Sequence, residues 1–195
     1  RQRQMCIRDR NTIGKYAAET LLLVPLESMY IAVKDEKVKL EQEYYSAMEN
    51  LMKIHCDFDL GDEQIMADIA QVHDGHLRLG EMEYNTVIIP PLLTLRRSTV
   101  QLLLAFAKGG GKILIMNDYP CYVDAEINNN LLSQLRQASL LIPNAAECLK
   151  KNLDVLAIKN DKGAEIYTQK RIAEKGCMYM LSLIHISEPT RLLSI

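Results

Sequence analysis

The chain has 195 residues, of which 48% are hydrophobic and 25% are charged, and its formal net charge is −2. This length suits one domain of ordinary size, or one domain and the start of another, with enough apolar side chains for a core. The mildly acidic balance gives no electrostatic reason to expect a nucleic acid or an anionic membrane surface as a partner, and no apolar run reaches the ~18 residues that span a bilayer.

The two ends of the chain differ from the rest. Residues 1–10 read RQRQMCIRDR and Leu181–Arg191 read LSLIHISEPTR, and both resemble translated adapters used to build DNA sequencing libraries. We therefore expect residues 1–10 and 181–195 to be artefacts of an assembled environmental read, and the natural segment to run from about residue 11 to about residue 180. Without the ends, 18 basic and 23 acidic residues leave a net charge near −5. Both true termini, with any signal peptide, are then expected to lie outside this sequence.

Four cysteines lie between these ends: Cys56, Cys121, Cys148 and Cys177. They are widely spaced and form no CxxC pair, whereas disulfide scaffolds are denser in cysteine and structural zinc sites use closer pairs. The sequence therefore predicts buried or half-buried free thiols. Free thiols favour a cytoplasmic location.

The first half of the natural segment alternates apolar runs with an amphipathic pattern. Leu21–Val24 is a short continuous apolar run stopped by Pro25, which is typical of a strand buried on both faces. Residues 37–55 repeat apolar side chains at three- and four-residue steps, which predicts a helix covering one face of a sheet. CDFDL at residues 56–60 predicts a second strand, and residues 61–70 predict a turn and a short helix with acidic residues at its start.

The next elements are predicted by turn chemistry and periodicity. The Asp74-Gly75 pair between alternating residues indicates a hairpin, and Thr86–Ile89 reads as another buried strand. A helix follows with an apolar face between residues 100 and 107, and Ser98 and Gln101 are spaced as a capping box.

Gly109–Gly111 is expected to end that helix, with KILIM at residues 112–116 as the next buried strand. Strands alternating with helices predict an α/β fold with a parallel sheet and right-handed crossovers. The segment Val123–Lys150 is predicted to form two helical pieces separated at Pro143.

The pattern changes after residue 152. From Leu153 onward the sequence predicts three strands separated by turn clusters at Asn160–Gly163 and Glu174–Gly176, with no helix between them. We therefore expect an α/β domain over residues 11–152 and the start of an antiparallel β domain over residues 153–180.

These segments together resemble a known family. LLLVPLESMY, CDFDLGDE, LRLGEMEYNTVIIPPLLTLRRSTVQLLLAFAKGGGKILIM and the late YTQKR and KGCMYML are similar to the class I glutamine amidotransferase-like domain of large bacterial glycoside hydrolases, as in the beta-galactosidase trimerisation domain. The resemblance covers about Glu19 to Met180. Its most specific part is the strand that ends in Pro-Pro before LTLR.

The resemblance implies a three-layer sandwich with a mostly parallel, flavodoxin-like sheet. It also implies that catalysis belongs to an upstream barrel of the same chain, missing here, and that the late strands lead into a β-sandwich. The domain itself would be a non-catalytic accessory that acts in subunit assembly or in shaping the substrate entrance. The parent enzyme would bind a carbohydrate and could form a homo-oligomer.

Cys121 is the one candidate nucleophile, because it follows the KILIM strand where an amidotransferase holds its catalytic thiol. Such a thiol stands on a tight elbow flanked by small residues and needs a histidine base. Here Pro120 precedes Cys121, no glycine flanks it, and the only downstream histidine, His185, lies in the adapter-like end. A packed, inert thiol is the favoured interpretation.

No cofactor is predicted. Phosphate-binding glycines follow a strand and open a helix, whereas Gly109–Gly111 closes a helix and precedes a strand, so a left-handed C-terminal cap is favoured. The loop after the first strand, PLESMY, lacks a Ser/Thr/Gly-rich turn for a flavin phosphate, and the chain has no GxGxxG.

No metal site is predicted either. His55, His73 and His76 fit no ligand spacing with Cys56, and solvent-facing imidazoles are favoured. Four carboxylates form a second candidate cluster: Asp57, Asp59, Asp62 and Glu63. The last two are explained by the chemistry of a helix start, which favours a structural role.

One location remains as a candidate ligand or interface rim. In open parallel sheets, ligands and partner loops meet the carboxyl ends of the strands. Seven residues follow those ends in the predicted sheet: Glu27, Ser28, Tyr30, Pro90, Pro91, Asp118 and Tyr119. An ordinary loop role remains the alternative for all seven.

Three hypotheses follow for the function. The first is the accessory domain of a glycoside hydrolase, and the second is a stand-alone hydrolase or amidotransferase that uses Cys121. The third is a flavodoxin-like binding module similar to a receiver domain. The third is disfavoured because Pro25 and Pro90–Pro91 stand where a receiver domain carries its acidic residues.

Overall fold

A five-stranded parallel sheet organises the chain in the computed structural model, which describes residues 15–156, 165–173 and 176–184. The helices are α1 (Leu26–Ile31), α2 (Lys34–Lys53), α3 (Glu63–Ile69), α4 (Arg97–Lys108), α5 (Asn129–Ala138) and α6 (Ala146–Asn152). The strands are β1 (Lys15–Tyr16), β2 (Thr20–Leu23), β3 (Phe58–Gly61), β4 (Ala70–His73), β5 (His76–Leu79), β6 (Met82–Tyr84), β7 (Thr86–Ile89), β8 (Thr94–Leu95), β9 (Lys112–Met116), β10 (Tyr122–Val123), β11 (Leu140–Ile142), β12 (Glu165–Ala173) and β13 (Gly176–Ile184). None of the helices among the described residues is both long and apolar enough to cross a membrane.

The sheet has the order β11-β9-β7-β2-β3, and every neighbouring pair is parallel. Its central strands consist mainly of apolar residues, TLLL in β2 and TVII in β7, as expected for strands that are covered on both faces. In β2, for example, Leu22 pairs with Leu60 on one side and Ile88 on the other, and all of β2 and β7 is buried. The predicted α/β fold with a mostly parallel sheet is confirmed.

Two hydrophobic cores lie on the two faces of the sheet, because side chains alternate along each strand. Leu21 and Leu23 of β2 face the core formed with α4 and α5, whereas Leu22 faces the core formed with α2 and α6. The first core includes the fully buried Phe106, and the second includes the fully buried Leu51. The predicted helix over residues 37–55 therefore covers one face as expected, although it begins at Lys34.

A small antiparallel sheet, β4-β5-β6, follows α3. Its first hairpin turns at Asp74 and Gly75, which both have positive φ, so the predicted two-residue turn is confirmed. Leu77 of β5 is fully buried in the core beneath α4.

The end of α4 is a Schellman motif. The N–H of Gly110 donates to the carbonyl of Ala107, and the N–H of Gly111 donates to the carbonyl of Phe106. Gly110 carries the left-handed φ of +101°. The predicted C-terminal glycine cap is therefore confirmed.

The predicted capping box at the start of α4 is wrong. The helix begins at Arg97, with Arg96 at the N-cap position and no capping bond from its own side chain. Ser98 and Gln101 therefore lie inside the helix. Carboxylates from other elements satisfy this helix end instead.

The segment Val123–Lys150 contains α5 and most of α6, on either side of Pro143 as predicted. The sequence did not indicate β11, which lies between the two helices and pairs with β9 at the edge of the sheet. Two further short strands, β8 and β10, pair in parallel next to the main sheet.

Beyond Leu153, the structure describes two strands, and part of the first predicted strand lies outside the described residues. Residues 153–156 form no strand, residues 157–164 lie outside the described part, and β12 and β13 form a long antiparallel hairpin. β12 also pairs with β1 near the start of the described chain. β13 runs to Ile184, into the segment that the sequence assigns to an adapter.

Candidate functional site at the carboxyl edge of the sheet

The order of the strands reverses between β2 and β7. From this central pair the sheet extends to β3 on one side and to β9 and β11 on the other. In open parallel sheets, ligands bind in the crevice beyond the carboxyl ends at such a reversal. The loops that follow β2, β7 and β9 are therefore the candidate location of a ligand site.

Ser28 of α1 closes the crevice directly between β2 and β7. Its side chain is fully buried, and its hydroxyl oxygen accepts the N–H groups of Leu93 at 2.9 Å and Thr94 at 3.1 Å. The same hydroxyl donates to the carbonyl of Thr94 at 3.2 Å. The buried side chain of Ser28 thus joins the loop after β2 to the loop after β7. The open space therefore lies to one side of the point where the strand order reverses.

That open space is a cavity of about 840 Å³ next to the N-terminal half of α2. The lining consists of four charged residues and one leucine of α2, the loops after β7 and β9, and one residue of α5: Asp35, Glu36, Lys39, Leu40, Glu43, Pro91, Leu92, Leu93, Asp118, Tyr119, Cys121 and Arg136. The lining carries four carboxylates, one ammonium and one guanidinium group. It can therefore offer acceptors and donors to a polar ligand.

Arg136 and Tyr119 contact each other in this lining. The guanidinium carbon of Arg136 lies 5.3 Å from the centre of the Tyr119 ring, within the range of a cation–π contact. The loop that carries Tyr119 begins at Asn117, which has a left-handed φ of 60°. The Asn117 side-chain oxygen accepts the N–H of Asn144 at 2.8 Å, which ties this loop to the loop after β11.

The predicted rim residues separate into three groups. Pro91, Asp118 and Tyr119 line the cavity. Ser28 and Pro90 are buried. The other two point elsewhere: Glu27 binds Arg96, and Tyr30 is 83% exposed on α1 outside the cavity lining.

The charged residues of α2 and Arg136 were missed as parts of this site. Asp35, Glu36, Lys39 and Glu43 belong to a helix whose apolar face gave the stronger signal, and Arg136 is distant in sequence. One signal in the sequence could have identified them. The first turns of a helix that follows a parallel strand lie at the carboxyl edge of the sheet, so polar side chains on those turns of α2 are candidates for the site.

Two carboxylates close the N-terminus of α4. Glu63 accepts the N–H of Arg96 at 2.8 Å, and Asp124 accepts the N–H of Arg97 at 2.9 Å. The Arg96 side chain in turn binds Glu27, with an Nε to Oε1 distance of 2.6 Å. The positive end of this helix is thus already neutralised, and neither of these two N–H groups is free for a phosphate.

The electrostatics of this helix end follow from burial and pairing. Burial raises the pKa of Glu63, although the Arg96 N–H partly opposes the rise. The hydrogen bond to Glu27 raises the pKa of Arg96. Glu63 lies in the first turn of α3 as predicted, and its side chain also caps α4. Asp62 caps α3 as predicted, by accepting the N–H of Gln64 at 2.7 Å.

Cys121 lines the cavity but is exposed, so the expected packed thiol is wrong at this position. Its N–H donates to the carbonyl of Leu93 at 3.0 Å. Cys177 is also exposed, whereas Cys56 is buried and Cys148 is half-buried as predicted. Burial raises the pKa of Cys56 to about 11.

The histidines lie away from this cavity. His73 and His76 flank the β4–β5 turn and are exposed, as predicted, with His76 Nδ1 3.0 Å from the carbonyl oxygen of Asp74. His55 is not solvent-facing: its Nδ1 is buried without a partner in the described structure, and its φ is 61°. Within residues 15–156, 165–173 and 176–184, no three His, Cys, Asp or Glu side chains gather as a metal site.

Asp57 and Asp59 serve different structural contacts. Asp57 accepts the N–H of Lys170, and burial raises its pKa. Asp59 accepts the hydroxyl of Tyr84 at 2.9 Å. These contacts agree with the structural role that the sequence favoured.

No protein-family model matches the sequence, and no curated protein is significantly similar to it. The chemistry of the cavity is therefore inferred from its own residues.

Proposed function

We propose that this chain is a non-catalytic, flavodoxin-like accessory domain of a bacterial glycoside hydrolase, acting in subunit assembly or in shaping the substrate entrance. The resemblance of the Pro90–Leu95 region and its flanks to such domains supports the proposal. The strand order β3-β2-β7-β9-β11 is the flavodoxin-like order, which also supports it.

The residues that line the carboxyl-edge cavity support the proposal that the domain is non-catalytic. Among the lining residues that the structure describes, Cys121 is the one thiol, and none is a histidine that could act as its base. A cysteine nucleophile depends on such a base or on a lowered pKa. The cavity thus lacks the nucleophile–base pair of an amidotransferase while it keeps a polar, open lining.

Exposed apolar side chains next to the cavity support a role in assembly. Tyr30 is 83% exposed and Val33 71% exposed, and they lie at α1 and at the N-cap of α2, beside the helix turns that line the cavity. Adjacent exposed apolar side chains of this size are typical of surfaces that contact another protein part. The upstream barrel of the same chain, or a neighbouring subunit, is the proposed contact.

Recovery of the full gene tests the proposal most directly. The source DNA is amplified outward from the codons for Tyr84–Ile115. We expect an upstream reading frame that encodes a barrel with two strand-end carboxylates suited to glycoside hydrolysis. Stop codons close to both ends of the segment would exclude the glycosidase assignment.

A protein-level test addresses catalysis in the isolated chain. Because the sugar-cleaving carboxylates are assigned to the missing barrel, the purified chain is expected to hydrolyse no aryl glycoside. The exposed position of Cys121 in the cavity favours the Cys121 enzyme as the second candidate. Any turnover is therefore compared with Cys121→Ala and with Cys177→Ala, which removes another exposed thiol outside the cavity lining. Loss only in Cys121→Ala would replace the accessory role with the enzymatic one.

A further inference from the structure

The outer face of α2, which points away from the sheet, carries apolar side chains. Leu40, Tyr44 and Leu51 are buried on the inner face of the same helix. Val38 is 47% exposed and Tyr45 is 60% exposed, and they lie about two turns apart on the opposite side. A helix that covers a sheet normally carries polar side chains on its outer face. These two side chains therefore mark a surface that the described part of the chain leaves open.

Charged side chains of opposite sign stand at the two ends of this surface. Lys34 lies four residues before Val38, and Glu49 lies four residues after Tyr45, so all four share one side of the helix. Lys34 and Glu49 are both exposed. Glu49 also pairs with Lys53 at 3.6 Å, but both side chains are 64% exposed, so this pair is weak. We call the set Lys34, Val38, Tyr45 and Glu49 the outer stripe of α2.

The outer stripe is complementary to itself. Its spacings of four, seven and four residues read the same in both directions, with a lysine at one end and a glutamate at the other. A twofold axis between residues 41 and 42 therefore brings Lys34 opposite Glu49 of the partner subunit, with the two helices antiparallel. The same axis brings Val38 opposite the partner's Tyr45. Each of these contacts occurs twice in such a dimer.

Other pairings of the two charged ends are unfavourable. In a parallel arrangement, Lys34 would face a second lysine and Glu49 a second glutamate. Within one chain the two residues are about 22 Å apart along the helix, too far to form an ion pair. Their opposite charges can therefore meet only between two antiparallel copies.

We propose that the outer stripe of α2 is the interface of an antiparallel dimer of this chain. The contact between Val38 and Tyr45 buries apolar surface, and the charged ends set the orientation and the register. One helix face is small for a protein interface, so we expect a dissociation constant in the micromolar range. The inference rests on the assembly part of the proposed function, whose partner it names as a second copy, and it does not depend on the glycosidase assignment.

Analytical ultracentrifugation of the full chain tests the dimer. We expect the wild type to change from monomer to dimer between about 2 µM and about 200 µM. Lys34→Glu places like charges at both ends of the interface, and so does Glu49→Lys. Each should raise the dissociation constant about tenfold, which is the scale of two exposed ion pairs. The control Lys37→Glu makes the same change of charge about 100° around the helix from Val38 and should leave the dissociation constant unchanged.

Rescue by charge exchange tests the antiparallel geometry. The double variant Lys34→Glu, Glu49→Lys restores opposite charges at both ends and should recover the dissociation constant of the wild type. An equimolar mixture of the two single variants should form a heterodimer of the same strength, because each chain then supplies one sign of charge. Neither rescue can arise within a single chain.

Three outcomes would overturn the inference. A wild type that stays monomeric up to about 200 µM has no such interface. Equal effects of Lys34→Glu and Lys37→Glu would mean that net charge, and not the outer stripe, controls association. A double variant as weak as the single variants would exclude the antiparallel pairing. All three leave the glycosidase assignment to be decided separately by recovery of the full gene.

Discussion

Three successive glycines end α4, and a side chain at each would meet a different obstacle. A Cβ on Gly109 would lie 2.9 Å from the Cα of Gly75, in the β4–β5 turn that packs against this helix end. Gly110 has the left-handed φ that L side chains rarely adopt. A Cβ on Gly111 would lie 2.1 Å from the Phe106 ring. The triple glycine thus reflects close packing, with no phosphate needed to explain it.

Gly111→Ala is expected to lower the free energy of unfolding by about 1–3 kcal/mol, the range for overpacking a core. The cause is the collision with Phe106, which is fully buried. Urea unfolding of Gly111→Ala, Phe106→Leu and the double variant measures the coupling. Because leucine leaves room for the new methyl group, the penalty of Gly111→Ala should shrink in the Phe106→Leu background. An unchanged penalty would show that the ring is not the obstacle.

At the scale of elements, α1 is held by its side-chain bonds to the next loop. It has only six residues, too few for a helix to be stable by itself, and Ser28 is its one buried residue. The hydroxyl bonds to Leu93 and Thr94 fix α1 against β8. A single hydroxyl thus sets the shape of the carboxyl edge.

Ser28→Ala is expected to lower the free energy of unfolding by about 1–3 kcal/mol, because two N–H groups would lose their acceptor. Ser133→Ala is the matched control, since its exposed hydroxyl donates to the carbonyl of Asn130 within the same helix, at 2.8 Å. The control should change stability by less than about 0.5 kcal/mol. Urea unfolding of both variants distinguishes them, and equal losses would contradict the bridging role of Ser28.

The elements that could be predicted are those with a strong local signal. β2, β7 and β9 are continuous apolar runs, and α2 shows clear helical periodicity, so all four were found. β11 was missed because it is a three-residue edge strand with Leu140 and Leu141 partly exposed. The start of α4 was misassigned because its caps, Glu63 and Asp124, come from distant parts of the sequence.

At the scale of the whole molecule, topology accounts for both the success and the failure in predicting the site. Parallel strands carry Pro91, Asp118 and Tyr119 to one edge, so their gathering followed from strand order alone. Arg136 enters the cavity from α5, and the position of a covering helix depends on packing that the local pattern does not encode. For the same reason, the docking of β12 on Asp57 had no signal in the sequence.

The two carboxyls with raised pKa values make the stability of the whole chain depend on pH. Burial raises the pKa of both Asp57 and Glu63, so the folded state binds their protons more tightly than the unfolded state does. Their stabilising contribution is therefore fully present when the pH is below the ordinary carboxyl pKa, about 4. It is lost as the pH rises through the pKa values that the two carboxyls have in the folded state. Near neutral pH the two ionised groups reduce stability.

The double variant Asp57→Asn, Glu63→Gln is expected to lose less stability than the wild type as the pH rises from about 4 to 7. Asparagine and glutamine keep an acceptor oxygen for the N–H groups of Lys170 and Arg96, but they carry no charge to bury. Urea unfolding across this range, at constant ionic strength, gives the difference between the two proteins at each pH. Asp68→Asn, at an exposed helix position, is the control and should run parallel to the wild type. A difference that stays constant, or that moves in favour of the wild type as the pH rises, would show that burial does not dominate at these two carboxyls.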